Sequence, residues 1–266
     1  MKVIIGTPVH RPGAYALEAF LSNQREIQQR RPDCELVFCT DDTGFVAELE
    51  NMMRQRSLRG VVIPHKVEKP GYAKSRLWSI ASGREAARRY FISRPDAEGL
   101  LFLDADMTFD PDVVDIMERE IAGCDAVFSG YWHRLVHLGL AGAGCLLLRR
   151  KAAEKIKFRC YEFKNGEFIN EDYLAEMDLF RRGCRIKKGF FLTIDHYASW
   201  GEIKRITPRR VGLLKKLSSS SLVRYCLIRL SVALHYNLTS KGVNVLRQLR
   251  YMSRKPRGAG EGSRAV

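Results

Sequence analysis

Leu100-Leu101-Phe102-Leu103-Asp104-Ala105-Asp106 is the stretch that decides how this chain is read. Four large apolar residues form a strand suited to burial on both faces, and they run directly into two carboxylates one residue apart. Side chains at i and i+2 of extended backbone point to the same side, so Asp104 and Asp106 can converge on one cation. Open α/β sheets place their ligands at the carboxyl ends of strands, where such a pair suits a divalent metal carrying a diphosphate. A capped strand end followed by a polar turn is the plainer alternative.

Upstream of this strand, apolar runs and helical spacings alternate. Lys2–Gly6 reads as a first strand, Glu35–Cys39 as a second, Val61–Pro64 as a third and Gly99–Leu103 as the fourth. Between them, Ala14–Arg30, Phe45–Arg56 and Lys74–Tyr90 carry helical periodicity. That alternation predicts βαβ units, an α/β fold with a mainly parallel central sheet and flanking helices. Downstream, Asp110-Pro111-Asp112 opens a helix to about Ala122, and Ala126–Gly130 and Ala143–Leu148 read as strands. A helix from Asn170 to Arg182 stops at Gly183, and Phe190–Ile194 is the last strand.

Charge separates the chain into two parts. The 266 residues carry a formal net charge of +15. Residues 204–266 hold 15 Lys and Arg against the single acid Glu261, so the first 203 residues are almost neutral. A body of that kind is not a general nucleic-acid-binding surface, and no specific nucleic acid is expected. Seven scattered cysteines with no C-x-x-C spacing argue against a disulfide framework or a structural zinc site and fit a reducing compartment. Met1–Gly6 is too short an apolar run for a signal peptide, and no stretch of about 18 apolar residues exists to span a bilayer.

Four further clusters carry candidate chemistry. Asp41-Asp42 follows the second strand, where a carboxylate can accept from a nucleobase imide or a ribose hydroxyl, or simply form an Asx turn with Thr43-Gly44. Gly71-Tyr72-Ala73-Lys74-Ser75-Arg76 combines close backbone approach with a helix start bearing Lys74 and Arg76. It suits a diphosphate, or is an ordinary basic helix start. Glu171-Asp172 opens a helix, where one acid can cap while the other acts as a general base on a hydroxyl. His196 follows an apolar strand and can complete a metal site begun by Asp104 and Asp106, or be structural.

Taken in order, these clusters resemble the inverting glycosyltransferases of family 2, which have the GT-A fold. Leu100–Asp106 with Pro111-Asp112 is similar to the DxD region, and Asn170-Glu171-Asp172-Tyr173-Leu174 with Arg182-Gly183-Cys184-Arg185-Ile186 is similar to the ED motif and the step after it. Thr7-Pro8-Val9-His10 looks like the first nucleotide-contact loop, and Cys39–Thr43 like the Asp-Asp segment that reads the base. Lys69–Arg76 resembles the Gly-to-Arg-Asn segment beside the diphosphate, with Leu77 in place of the usual Asn. Ala141–Arg150 resembles the small-residue strand lining the sugar pocket.

The resemblance covers roughly residues 1–200, which divides them into a nucleotide-sugar half (1–106) and an acceptor half (107–203). It implies a nucleoside-diphosphate-sugar donor, with UDP favoured, and nucleotide contacts from Thr7, Pro8, Val9, Asp41, Asp42, Gly71, Lys74, Arg76 and Asp104. It implies Mn²⁺ or Mg²⁺ on Asp104, Asp106 and His196, with Asp106 as the main ligand. Asp172 is the implied base that deprotonates a hydroxyl acceptor, with Glu171 in reserve, and the product is an inverted hexoside. Tyr131, Trp132 and Trp200 are candidate sugar-stacking aromatics or core residues.

The basic segment 204–266 is read as a separate amphipathic helical tail with a disordered end over Pro256–Val266. Ser220–Leu238 is apolar with few interruptions, and Gly242–Lys255 sets Val243, Leu246 and Leu249 beside Arg247, Arg250 and Arg254. Such a pair suits an anionic membrane surface through residues 204–255, hence a cytoplasmic protein peripheral at the inner face of the membrane. A helical cap or a homo-oligomer contact accounts for the same pattern. Two rival functions remain. Asp104-Ala105-Asp106-Met107-Thr108 fits the D-x-D-x-T pattern of haloacid-dehalogenase-like phosphatases, with Asp104 as nucleophile, but about a hundred residues of βα pattern precede it. A non-catalytic binder acting through its tail would leave the paired acids unexplained.

Overall fold

Strand and helix alternate from the first residues, because each buried apolar strand needs a helix to cover it. The computed structural model describes residues 1–132, 138–140, 142–162, 168–198 and 201–237. Strand β1 (Val3–Pro8) leads through a 3-10 turn into α1 (Leu17–Arg30). β2 (Glu35–Thr40) precedes α2 (Val46–Gln55), and β3 (Gly60–Pro64) precedes α3 (Leu77–Ser93). β4 (Gly99–Leu103) is followed by the short β5 (Met107–Phe109) and α4 (Val113–Glu120). Next come β6 (Ala126–Ser129), β7 (Tyr131–Trp132), β8 (Leu138–Gly139), β9 (Cys145–Arg149) and α5 (Arg150–Lys155). A small hairpin of β10 (Tyr161–Glu162) and β11 (Phe168–Ile169) introduces α6 (Glu171–Arg181). β12 (Ile186–Gly189), β13 (Ile194–Tyr197), β14 (Ile203–Ile206), α7 (Leu213–Ser218) and α8 (Ser221–Asn237) follow.

The main sheet has seven strands in the order β12-β6-β9-β4-β1-β2-β3. Only β9 runs antiparallel to its neighbours, with Leu101 opposite Leu147 and Leu103 opposite Cys145. Strand alternation sends the two halves of each strand into two cores. Ile5, Phe38, Leu101, Leu103 and Leu147 pack with α1, α2 and α4, while Ile4, Val37, Phe102, Phe128 and Leu146 pack with α3, α5 and α6. The chain builds outward from β1 through β2 to β3, then returns to place β4 on the other side of β1. That reversal creates a crevice between the carboxyl ends of β1 and β4, where open α/β sheets bind ligands.

Three local expectations change. α3 begins at Leu77, not Lys74, because the backbone N–H groups of Lys74 and Ser75 are held by the Glu162 carboxylate outside any helix. The run expected as one strand over Phe190–Ile194 is flanked by two instead. β12 ends at Gly189 and joins the main sheet, while β13 starts at Ile194 and joins a second sheet of order β14-β13-β5. That second sheet was not foreseen, and it includes Ile203–Ile206, so a boundary at residue 203 falls inside β14. Gly183 ends α6 as expected, with a φ of +68°. Ala141, Trp200, the helix expected over 242–255 and the disorder expected over Pro256–Val266 lie outside the described residues.

Candidate functional site

The crevice is lined first by the ends of β1 and β2. Thr7 is fully buried and its hydroxyl has no hydrogen-bond partner among the described residues, while Pro8 is half-buried beside it. The Val9 side chain joins the core, and its N–H donates to the Cys39 carbonyl at 2.9 Å, tying β1 to β2 beyond their strand ends. Asp41 accepts a 2.6 Å bond from the Ser79 hydroxyl on α3, and Asp42 accepts from the Arg11 guanidinium at 3.1 Å. Both acids are partly open to solvent, two strands away from Asp104 on the same sheet edge. Neighbouring strands lie about 4.8 Å apart, so the two acidic clusters are spaced for the ends of one extended ligand.

At the centre stands Arg84, a guanidinium only 2% exposed, carried by α3. It donates to Asp104 Oδ1 at 2.8 Å, to Glu171 Oε1 at 3.3 Å and to the Ala143 carbonyl at 2.9 Å. One cation therefore joins the acid after β4 to the first acid of α6. Burial raises the Asp104 and Glu171 carboxyls above their ordinary range, and Arg84 opposes that in both. Asp172 is pushed up to about 7, first by burial and then by the adjacent Glu171 charge, against a lowering influence from Arg224 on α8. A buried carboxyl poised near neutrality suits proton transfer at physiological pH. Tyr131 is buried in the core, with its hydroxyl accepting from the Gly144 N–H at 3.2 Å, and so it lies beneath the site instead of offering an open stacking face. Trp132 is half-buried.

Asp106 sits beside the second sheet. The antiparallel pairing of β13 with β5 sets His196 opposite Met107, which brings its Nε2 to 3.4 Å from Asp106 Oδ2. His196 Nδ1 donates to the Trp132 carbonyl, which holds the ring with Nε2 toward the carboxylate. Tyr15 reaches the same carboxylate oxygen at 3.4 Å. A carboxylate oxygen and an imidazole nitrogen are donor types that suit a divalent cation. Among the described residues no group of three His, Cys, Asp or Glu is placed to hold a metal ion by itself. Asp104 is placed differently. Its Oδ1 is engaged by Arg84, and its Oδ2 packs over Gly144, where an added Cβ would stand 2.6 Å away.

In the Gly71–Arg76 loop the backbone donors of Lys74 and Ser75 are already used. The Glu162 carboxylate accepts from Lys74 N and Ser75 N, both at 3.0 Å, and from the Trp78 indole N–H at 3.1 Å. These bonds hold the Glu162 carboxyl below its ordinary range, the Lys74 N–H contributing most. Gly71 is open on its Cα side, and Arg76 immediately precedes α3 without a side-chain hydrogen bond to its first turn. The loop is thereby fastened to the hairpin that leads into Glu171 and Asp172. Arg84, Tyr15 and Glu162 were not picked out from sequence. Arg84 alone left a signal, since it sits three residues after Ala81 and seven before Phe91 on the buried stripe of α3.

No protein-family model and no curated protein matches the sequence. Solved structures do match. The S. aureus TarS structure spanning residues 1–349 aligns with 70% of this chain at 15% identity and a TM-score of 0.51, and the alignment covers 57% of that chain. The mannosyltransferase PcManGT from Pyrobaculum calidifontis, solved in complex with GDP-Man and Mn²⁺, aligns with 70% of this chain at 14% identity and a TM-score of 0.50, covering 54% of that protein. This chain thus spans little more than half the length of each. At such identities the likeness is one of fold, an α/β fold with a mostly parallel mixed sheet that matches GT-A glycosyltransferases.

Proposed function

We propose that this chain is an inverting glycosyltransferase that moves a hexosyl group from a nucleoside-diphosphate sugar, UDP-linked in preference, to a hydroxyl acceptor. The observation that carries this reading is the Arg84 bridge, which unites the strand-end acid Asp104 with the Glu171-Asp172 pair at the sheet's switch point. A nucleoside lying across the ends of β1 and β2 meets Thr7, Pro8, Asp41 and Asp42, and its diphosphate then falls between Asp106 and the Lys74–Arg76 loop. Mn²⁺ or Mg²⁺ held by Asp106 and His196 would act as a Lewis acid that neutralises the leaving diphosphate. Arg84 favours the charged form of Asp104 against its burial and holds it in place. Asp172, ionised as pH rises through about 7, takes the acceptor proton from the side opposite the leaving group, so direct displacement inverts the anomeric centre.

The test is calorimetric titration of UDP and GDP, with and without Mn²⁺, into the wild type and Asp106→Ala. The expected result is metal-dependent binding of one nucleotide that the variant loses. No binding under any condition would sink the reading and turn attention to phosphatase assays on Asp104.

A further inference from the structure

The body of the molecule hides its aliphatic side chains, and the C-terminal helices do not. Among the described residues, every exposed large aliphatic side chain lies at Ile203 or beyond: Ile203, Leu213, Leu217, Leu222, Val223, Leu227 and Leu230. The last six are between 38% and 72% exposed. On α8 they occupy 222, 223, 227 and 230, which is one stripe of a 3.6-residue helix, and Cys226 is exposed on the same stripe. Leu213 and Leu217 form a matching i, i+4 pair on α7.

The opposite face of α8 explains why the stripe points outward. Arg224 donates its charge to Glu176 on α6 at 2.9 Å and lies 4.0 Å over the Tyr173 ring, and Tyr225 packs 5.6 Å from Phe180. Lys188 reaches across to the Ser219 carbonyl at 2.7 Å and fastens the turn between α7 and α8. The polar and aromatic face is thus the anchored one, the reverse of an ordinary surface helix. The exposed cations Arg209, Arg210, Lys216 and Arg229 fall in the same stretch of chain as the exposed leucines, and no acidic residue occurs between Glu202 and Glu261. A nucleic acid would pair with those cations and leave the leucines in water. An apolar stripe accompanied by cations matches the interface of an anionic bilayer, such as a cytoplasmic leaflet. No described helix is long and apolar enough to cross.

We infer that the outward face of α7 and α8 is a docking surface for an anionic phospholipid bilayer, with Leu213, Leu217, Leu222, Leu227 and Leu230 entering the headgroup boundary and the accompanying cations facing the lipid phosphates. α8 contacts α6, whose first turn holds Glu171 and Asp172, so docking also sets the candidate site close to the membrane. The inference stands apart from the transfer reading, because vesicle binding is measured without substrate.

The experiment uses the full chain and sucrose-loaded phosphatidylcholine vesicles, with or without about 30 mol% phosphatidylglycerol, at physiological salt. The wild type is expected to sediment with the anionic vesicles and far less with the neutral ones. Leu222→Glu/Leu227→Glu is expected to lower that partitioning at least about tenfold with an unchanged melting temperature. The milder Leu222→Ser/Leu227→Ser pair guards against loss of fold. An environment-sensitive fluorophore on Cys226 should shift to the blue on anionic vesicles, which a purely electrostatic contact would not produce. Wild-type protein left in the supernatant, equal sedimentation of the variants, or an unshifted fluorophore on bound vesicles would each overturn the inference. So would a wild-type dimer that the variants dissociate without any vesicle binding, since the stripe would then belong to a second copy.

Discussion

Asp172 and Arg84 pose opposite electrostatic problems in one buried cluster. Asp172 has a folded pKa near 7 against about 3.9 for a free aspartate, so its ionised form is disfavoured in the folded state. Its own contribution to stability is therefore most favourable below pH 4, declines as pH rises from about 4 to 7 and is flat beyond. Asp172→Asn removes the charge, and it should melt higher than wild type at pH 8 with the difference closing toward pH 5, as read by thermal denaturation. The same substitution should lower kcat by about 10²–10⁴-fold and erase the ascending limb of the pH–rate profile near 7. Retained activity with an unchanged limb would assign the base to Glu171 or elsewhere. Arg84 behaves differently, because removing it leaves Asp104 and Glu171 buried without their cation. Arg84→Met should lose about 3–5 kcal/mol of unfolding free energy at pH 8 in urea titrations. The deficit should shrink at pH 5, where the stranded carboxyls take up protons. A neutral outcome at both pH values would mean that the bridge does not hold the site together.

At the level of elements, the parallel strands were legible because each is a short apolar run closed by turn residues, and β2 and β3 begin within a residue of where their patterns do. The second sheet was not, since Met107–Phe109 is three residues long and gains strand character only by pairing with β13. His196 was grouped with Asp106 as a candidate metal ligand, but the β5–β13 pairing that sets the two together could not be read from either segment. The same holds for Glu162. An isolated acid in a polar stretch gives no sign that it will gather three N–H groups from the Lys74–Trp78 segment. Glu162→Ala should free that segment, and the Lys74 and Ser75 amides should exchange at least about tenfold faster in hydrogen-exchange mass spectrometry. Unchanged protection would show that the loop is held by other contacts. β9 supplies a second test of position. Gly144 leaves no room for a side chain, since a Cβ would stand 2.6 Å from Asp104 Oδ2 and 2.8 Å from the Tyr131 hydroxyl. Gly144→Ala should destabilise the protein by about 1–3 kcal/mol and weaken nucleotide binding through Asp104, both measurable on one sample by denaturation and calorimetry.

Across the whole molecule, the strongly basic C-terminal segment is coupled electrostatically to the site through Arg224. Arg224 reaches inward from α8, pairs with the nearly buried Glu176 and acts at a distance on Asp172, whose carboxyl it pulls downward. The tail is therefore electrically part of the candidate site, although its charge looks separate in the sequence. Replacing Arg224 with Met keeps the packing over Tyr173 and removes the charge, so the Asp172 carboxyl should rise further. The ascending limb of the pH–rate profile should then move to higher pH, and activity at pH 7 should fall while activity at pH 9 approaches that of the wild type. Arg224→Lys, which keeps the charge on a shorter reach, should return the limb most of the way. A merely structural loss would lower the rate equally at every pH and would leave the limb where it was. Coincident limbs in wild type and Arg224→Met would show that the tail and the proton-transfer step are uncoupled.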